Sequence, residues 1–251
     1  MKKTLLAASL LLGCSTNVYA DAIGVYVGAN VWDQKAKGVL GSSNDQLDFN
    51  LADQQQMNYS LAVEHPLPFI PNAKVASTSL QTDGMLTLNS PFEFDGKTFD
   101  ESSQASANFD VSFVDYTLYY ELFDNDLLSF DFGITGRDFD GSVMVTGQVN
   151  GSVASGEIST SEIVPMLYAR TNIGLPFTGL NFFAEGNFLS IKDHTLYDYQ
   201  AGISYELVDN LAIDINLTLG YRALKLELDD LSDLYTDIEF NGIFAGVVVH
   251  F

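Results

Sequence analysis

The sequence predicts an all-β protein, a transmembrane antiparallel up-and-down β-barrel, on three observations. Apolar residues recur with a period of two through most of the chain. The alternating runs are ten residues or more, as in Tyr197–Glu206, where strands of soluble domains average about 5–6. Short connections alternate with long acidic ones, as expected when one set of turns lies on each side of a bilayer. Alternation by itself would fit a soluble sandwich equally well. Strand length, an apolar face rich in Tyr and Phe, and a polar face carrying ionisable groups beside Gly decide for the barrel.

The chain has 251 residues and opens with "MKKTLLAASLLLGCSTNVYA". Lys2 and Lys3, the apolar run from Leu5 to Leu12 and the small-residue exit Val18-Tyr19-Ala20 read as a secretory signal peptide over 1–20, cleaved before Asp21. The apolar run is too short for a membrane-spanning helix, which needs about 20 residues. Lipidation at Cys14 is the alternative, and "LLGC" fits it poorly. The mature chain, 21–251, is then one barrel domain without cysteine, so no disulfide framework supports it. Loss of Lys2 and Lys3 takes the net charge from −22 to −24, with 9 basic against 33 acidic side chains. A chain this acidic is no nucleic-acid binder, because phosphate contacts require clustered Lys and Arg.

The first strand is expected over Ile23–Trp32. In the next, Tyr59, Leu61 and Val63 alternate with Asn58, Ser60, Ala62 and Glu64. Further on the chain repeats itself: "YELFDNDLLSFDFGITGR" from Tyr120 to Arg137 returns as "YELVDNLAIDINLTLGYR" from Tyr205 to Arg222, 85 residues later. Within the repeat, Leu128, Phe130, Phe132 and Ile134 alternate with Ser129, Asp131, Gly133, Thr135 and Arg137. Ile213, Ile215, Leu217, Leu219 and Tyr221 alternate with Asp214, Asn216, Thr218, Gly220 and Arg222.

The short turns are "PLPFIPN" (Pro66–Asn72), "FDND" (Phe123–Asp126), "LPFTG" (Leu175–Gly179) and "LVDN" (Leu207–Asn210). Leu-Pro-Phe thus alternates with Asp-Asn, which makes the true repeat a four-strand unit used twice. One strand before it and one after, about Ile238–Phe251, bring the total to ten, with eight and twelve as alternatives. Long loops are expected at about 35–55, 83–108, 138–160, 190–195 and 225–236. The third holds Asn150-Gly151, a two-residue hairpin signal, so Ser142–Val149 and Ser152–Ile158 are expected to extend the fifth and sixth strands as one tall hairpin.

The signal peptide, the long alternating strands and the last strand "GIFAGVVVHF", with Ile243, Ala245, Val247, Val249 and Phe251 on one face, resemble Gram-negative outer-membrane β-barrels. More closely, "AIGVYVGANVW", "YYELFDN" and "FNGIFAGVVVHF" resemble a family of small outer-membrane proteins of unassigned function. The resemblance implies a location in the cell outer membrane, and a role for Phe251 as the signal read by the outer-membrane assembly machinery. It brings no catalytic motif.

Strand parity aims Glu64, Glu121, Arg137, Arg170, Glu185, Glu206, Asp214 and Arg222 at the interior. Ten strands enclose little more than the eight whose lumen side chains can fill. These residues are therefore expected to form an ion-pair network that fills the lumen, or else the constriction of a narrow pore. A turn near Pro176 makes Arg170 and Glu185 cross-strand neighbours. Glu121 and Glu206 lie near the turn end and Arg137 and Arg222 near the loop end, where loop carboxylates are the expected partners. Phe69, Tyr120, Phe177 and Tyr205 read as interfacial anchors.

No cofactor and no metal site is expected, although Asp229, Asp230, Asp233 and Asp237 could gather Ca²⁺. The function expected is non-enzymatic, structural or surface-binding through acidic loops such as "TDGMLTLNSPFEFDGKTFDESSQ". The alternatives are a narrow, porin-like channel for small solutes or ions and, further off, a hydrolase at the outer rim built on His194. Expected partners are outer-membrane lipid, lipopolysaccharide and the assembly machinery, around a monomer.

Overall fold

Backbone pairing among ten strands closes on itself. In the computed structural model, which describes residues 23–251 except 43–44, 126, 192–193, 211–212 and 232–233, β1 (Gly24–Ser42) pairs with β15 (Leu234–His250) on one side and β3 (Gln54–Glu64) on the other. The ring continues through β4 (Asn72–Thr78), β9 (Phe113–Asp124), β10 (Leu128–Val149), β11 (Ser152–Leu175), β12 (Leu180–Ile191), β13 (His194–Asn210) and β14 (Ile213–Leu231), antiparallel at every step. The predicted signal peptide lies outside the described residues.

Phe251 completes the seam, its amide donating to the Val25 carbonyl at 3.0 Å and the Val25 amide donating back at 3.2 Å. Closure matters because a bilayer offers nothing to the amides of an open edge. On the outer surface Val27, Val31, Phe132, Ile134, Ile203, Leu217, Leu219, Tyr221 and Ile243 stand exposed in a continuous apolar belt. Each strand then turns polar towards its loop end: Asp33 and Lys35 on β1, Asp138 and Asp140 on β10, Lys225 on β14, Glu239 and Asp237 on β15. A closed sheet with an apolar outer belt is a transmembrane β-barrel, and it has the ten strands that the duplicated four-strand unit predicts.

Both Leu-Pro-Phe turns take one form. Phe69 (φ 69°) and Phe177 (φ 67°) follow Pro in the left-handed region, as the third residue of a type II turn must. Both side chains are fully exposed, and Tyr120 and Tyr205 are exposed near them in sequence or pairing. At the opposite end β10 and β11, of 22 and 24 residues, rise as the expected tall hairpin. Its turn residues Asn150 (φ 51°) and Gly151 (φ 74°) both take positive φ, as a type I′ turn requires.

The loop end differs from expectation in two respects. Strand pairing continues through 35–42, 225–231 and 234–236, where long loops are predicted. An ion-pair network is predicted to fill the lumen, and above the apolar belt a hydrophobic core fills it instead. Phe109, Phe113, Phe139, Val143, Val145, Leu196, Leu224, Ile238 and Phe240 face inward there and are buried. The segment predicted as a long acidic loop supplies much of that core. It holds β5 (Gln81–Thr87) and β8 (Gln104–Asp110), a hairpin leaning on the upper part of β10. Between them a two-strand flap, β6 (Phe92–Phe94) and β7 (Lys97–Phe99), buries Phe92, Phe94 and Phe99 to within 1% of complete. A short β2 (Asp45–Leu47) folds back on β1.

Two carboxylates at the flap accept from backbone amides. Asp100 accepts from the amides of Asn150 and Gly151 at 3.1 and 2.8 Å, and Asp95 from that of Glu157 at 3.2 Å.

Candidate functional site

The chemistry of this barrel lies in its lumen, and it comes in layers. At the turn end, on the inner face of β14 and β15, Asp214 meets His250 at 3.1 Å while Tyr26 stacks on the same imidazole with ring centroids 4.2 Å apart. Glu206 stands beside the adjoining turn, its amide donating to the Gly179 carbonyl. Next inward, Glu64 accepts from the Tyr119 hydroxyl at 2.7 Å. Glu121 pairs in register with Asp131, whose side chain is buried.

The middle layer joins opposite walls. Lys74 of β4 forms an ion pair with Glu185 of β12, and Gln200 of β13 donates to the other Glu185 oxygen at 3.5 Å. Arg170 lies directly opposite Glu185 in the β11–β12 register, as the turn near Pro176 predicts, yet it is Lys74 that binds Glu185. The ammonium group of Lys74 also sits 5.8 Å from the Tyr168 ring. Around this layer a polar cavity of about 330 Å³ is lined by Asn30, Asn58, Ser60, Arg170, Asn172 and Glu185 among others.

Above it lies a four-member cluster. Arg137 donates to both oxygens of Asp115 at 2.7 Å, the two-pronged geometry that fits guanidinium to carboxylate. The same guanidinium reaches Asp198 at 2.8 Å, and Arg222 takes Asp198 from the other side at 2.8 and 2.7 Å. Arg222 then spans to Thr78 at 3.3 Å. Arg137 lies 3.7 Å from the Phe113 ring and Arg222 4.9 Å from that of Trp32, a cation–π arrangement in which ring faces take up part of the charge. All four charged groups are buried, Arg137 completely. The expectation of loop carboxylates as partners is corrected: Asp115 and Asp198 stand on barrel strands, and the loop segment lays down apolar rings above them.

The residues that parity selects fall into separate layers, with Glu121 exposed near the turn end. Arg137 and Arg222 share one, Arg170 and Glu185 another, while Asp214 and Glu206 stay at the turn end. Lys74, Asp115, Asp198 and Tyr119 complete the layers and were missed. Asp115 carried a usable signal, since it alternates with Tyr116, Leu118 and Tyr120 on the polar face of its strand. Lys74 carried none, because its strand is only 7 residues long.

The rim readings find little to build on. His194, on which the hydrolase reading rests, opens β13 opposite Ile191, and its side chain lies outside the described residues. Of the acids considered for Ca²⁺, Asp237 is within 3.3 Å of Lys225; Asp233 and the side chains of Asp229 and Asp230 lie outside the described residues. Among the described residues no group of three His, Cys, Asp or Glu could hold a metal ion.

No known family model matches the chain, and no curated protein does. Among solved structures it is similar to the outer membrane protease OmpT from Escherichia coli, with 10% identity over 95% of this chain and 99% of that one and a TM-score of 0.43. It is similar also to Ail, the attachment invasion locus protein of Yersinia pestis, with 12% identity over 92% and 99% and a TM-score of 0.34. Neisserial surface protein A gives 13% over 90% and 96% with a TM-score of 0.31. None of these likenesses bears on activity.

Proposed function

We propose that the protein is an integral outer-membrane β-barrel of a Gram-negative cell, non-enzymatic, with a lumen closed by its own side chains and an acidic outer face that binds or serves structurally. One observation carries this reading: the Arg137–Asp115–Asp198–Arg222 cluster spans the lumen from β9 and β10 to β13 and β14, and the phenylalanine core seals the space above it. A wide water path would leave such groups solvated, whereas these are buried. The outer ends of the strands carry Asp33, Asp138, Asp140, Asp237 and Glu239, so the surface presented outward is acidic. The partners implied are the lipid and lipopolysaccharide around a monomeric barrel and the machinery that assembles it.

Sided labelling tests the seal. In a Cys14→Ser background, Lys35→Cys lies outside the barrel near its loop end and Ser60→Cys lies in the polar cavity beneath the cluster. A membrane-impermeant maleimide added to intact cells is expected to label the first and leave the second unlabelled. Labelling of Ser60→Cys at a comparable rate would contradict the seal and favour the narrow channel.

A further inference from the structure

Above Leu167 the β12-facing edge of β11 is open among the described residues. β11 pairs with β12 only from Leu175 to Leu167, where it faces Phe188. Above that level, Ser152–Met166 have no strand partner on this side among the described residues, while their other edge is paired with β10 throughout. Pro165, which has no amide proton to offer a neighbour, stands at the foot of the opening. Behind it lies a cavity of about 380 Å³ walled by Phe109, Phe139, Val143, Ile158, Leu196 and Leu226 and reached past Ile163, Pro165 and Leu189. It is distinct from the polar cavity below the arginine cluster.

Position and charge together name the occupant. The opening begins where the outer surface is still apolar, with Leu167 and Ile163 exposed at 54% and 69%, and ends among polar residues such as Ser161. It therefore straddles the boundary of the apolar belt, where a hydrophobic molecule dissolved in the bilayer can enter sideways without crossing water. A volume of this size falls within the roughly 300–1,000 Å³ of small-molecule sites. Among the described residues the ionisable groups lining the cavity are Glu162 and Glu227; Lys225 pairs with both Glu227 and Asp237, which leaves that group net negative, so both positions oppose an anionic head.

We propose that this cavity binds an uncharged molecule bearing a long hydrocarbon chain, which enters from the bilayer through the gap between β11 and β12, and that Glu162 and Glu227 exclude fatty-acid anions. The proposal does not depend on whether the lumen conducts.

The test uses the full mature chain refolded into phosphatidylcholine nanodiscs, with tritiated 1-dodecanol as the neutral probe and dodecanoate as the anionic one. The wild type is expected to take up dodecanol at one saturable site per barrel, beyond partition into empty discs, and to bind dodecanoate at least tenfold more weakly. At Gly141 a Cβ would meet Thr160 at 3.5 Å and Val111 at 3.6 Å, ordinary contacts, so Gly141→Leu extends into the cavity and is expected to weaken dodecanol at least tenfold. Glu162→Gln with Glu227→Gln should bring dodecanoate towards the affinity of dodecanol. Heat-modifiable migration checks folding, and Thr160→Trp fills the same space should Gly141→Leu fail to fold. No saturable uptake by the wild type, as when a bilayer lipid's own chain fills the cavity, would overturn the proposal. So would unchanged uptake in a folded filler variant, or equal binding of the two probes.

Discussion

Asp198 is the residue on which the outer layer turns, since its two oxygens receive three hydrogen bonds from two arginines. Removing it leaves Arg222 without a carboxylate partner and Arg137 with Asp115 alone, whereas removing Asp115 leaves both arginines still bonded to Asp198. Breaking a buried ion pair from one side costs about 3–5 kcal/mol, so Asp198→Ala is expected to lose at least that much and more than Asp115→Ala, read from urea unfolding in lipid. A second residue-scale prediction concerns Asp95 at the flap. Hydrogen bonds from Lys97 and from the Glu157 amide hold its carboxyl below the usual carboxylate range. A depressed folded value means that its contribution is present above the unfolded value of about 3.9 and is lost as pH falls through the folded one. The protection factor of the Glu157 amide is therefore expected to fall in that acid range, and Asp95→Asn should remove the pH dependence.

Among the elements, the two Leu-Pro-Phe turns place a bulky residue where glycine is most at home. A left-handed conformation costs an L-residue roughly 1–2 kcal/mol, and both phenylalanines bear it while fully exposed. Comparing Phe177→Gly with Phe177→Ala isolates that cost, and the glycine variant is expected to be the more stable by about 1 kcal/mol. Equal stability of the two would mean that the turn relaxes elsewhere. The flap obeys different physics, because its hold is apolar. Phe94→Ala, in a buried site beside Phe92, is expected to cost about 3–5 kcal/mol and to admit protease at β6–β7 before the barrel itself unfolds.

At the scale of the whole molecule, the wall was legible in the sequence and its filling only in part. Alternation fixes which face of a strand meets the bilayer, because one face of Phe132 and Ile134 or of Leu217 and Leu219 must be greasy wherever its neighbours are not. The inward arginines followed from the same parity. The outer core did not, since Val143, Val145 and Phe240 continue the inner face of strands whose lower halves are polar. A two-residue period records a face and says nothing of the height at which the solvent on that face changes. Phe92, Phe94 and Phe99 are hidden in another way, being set among acids of which Asp95 and Asp100 accept from backbone amides. Register across the lumen, such as Lys74 to Glu185 or Arg137 to Asp198, depends on closure of the ring and has no local signature.

The proposed closure of this lumen rests on the arginine–aspartate cluster and the core above it. Its most direct test is the conductance of the refolded protein in planar lipid bilayers at high salt. A correctly folded, heat-modifiable barrel is expected to leave the membrane electrically silent, and Arg170→Ala, below the seal, to leave it silent too. Discrete conductance steps in the wild type, with a size or ion selectivity that shifts in Arg170→Ala or Arg222→Ala, would contradict the account and make the lumen a pathway.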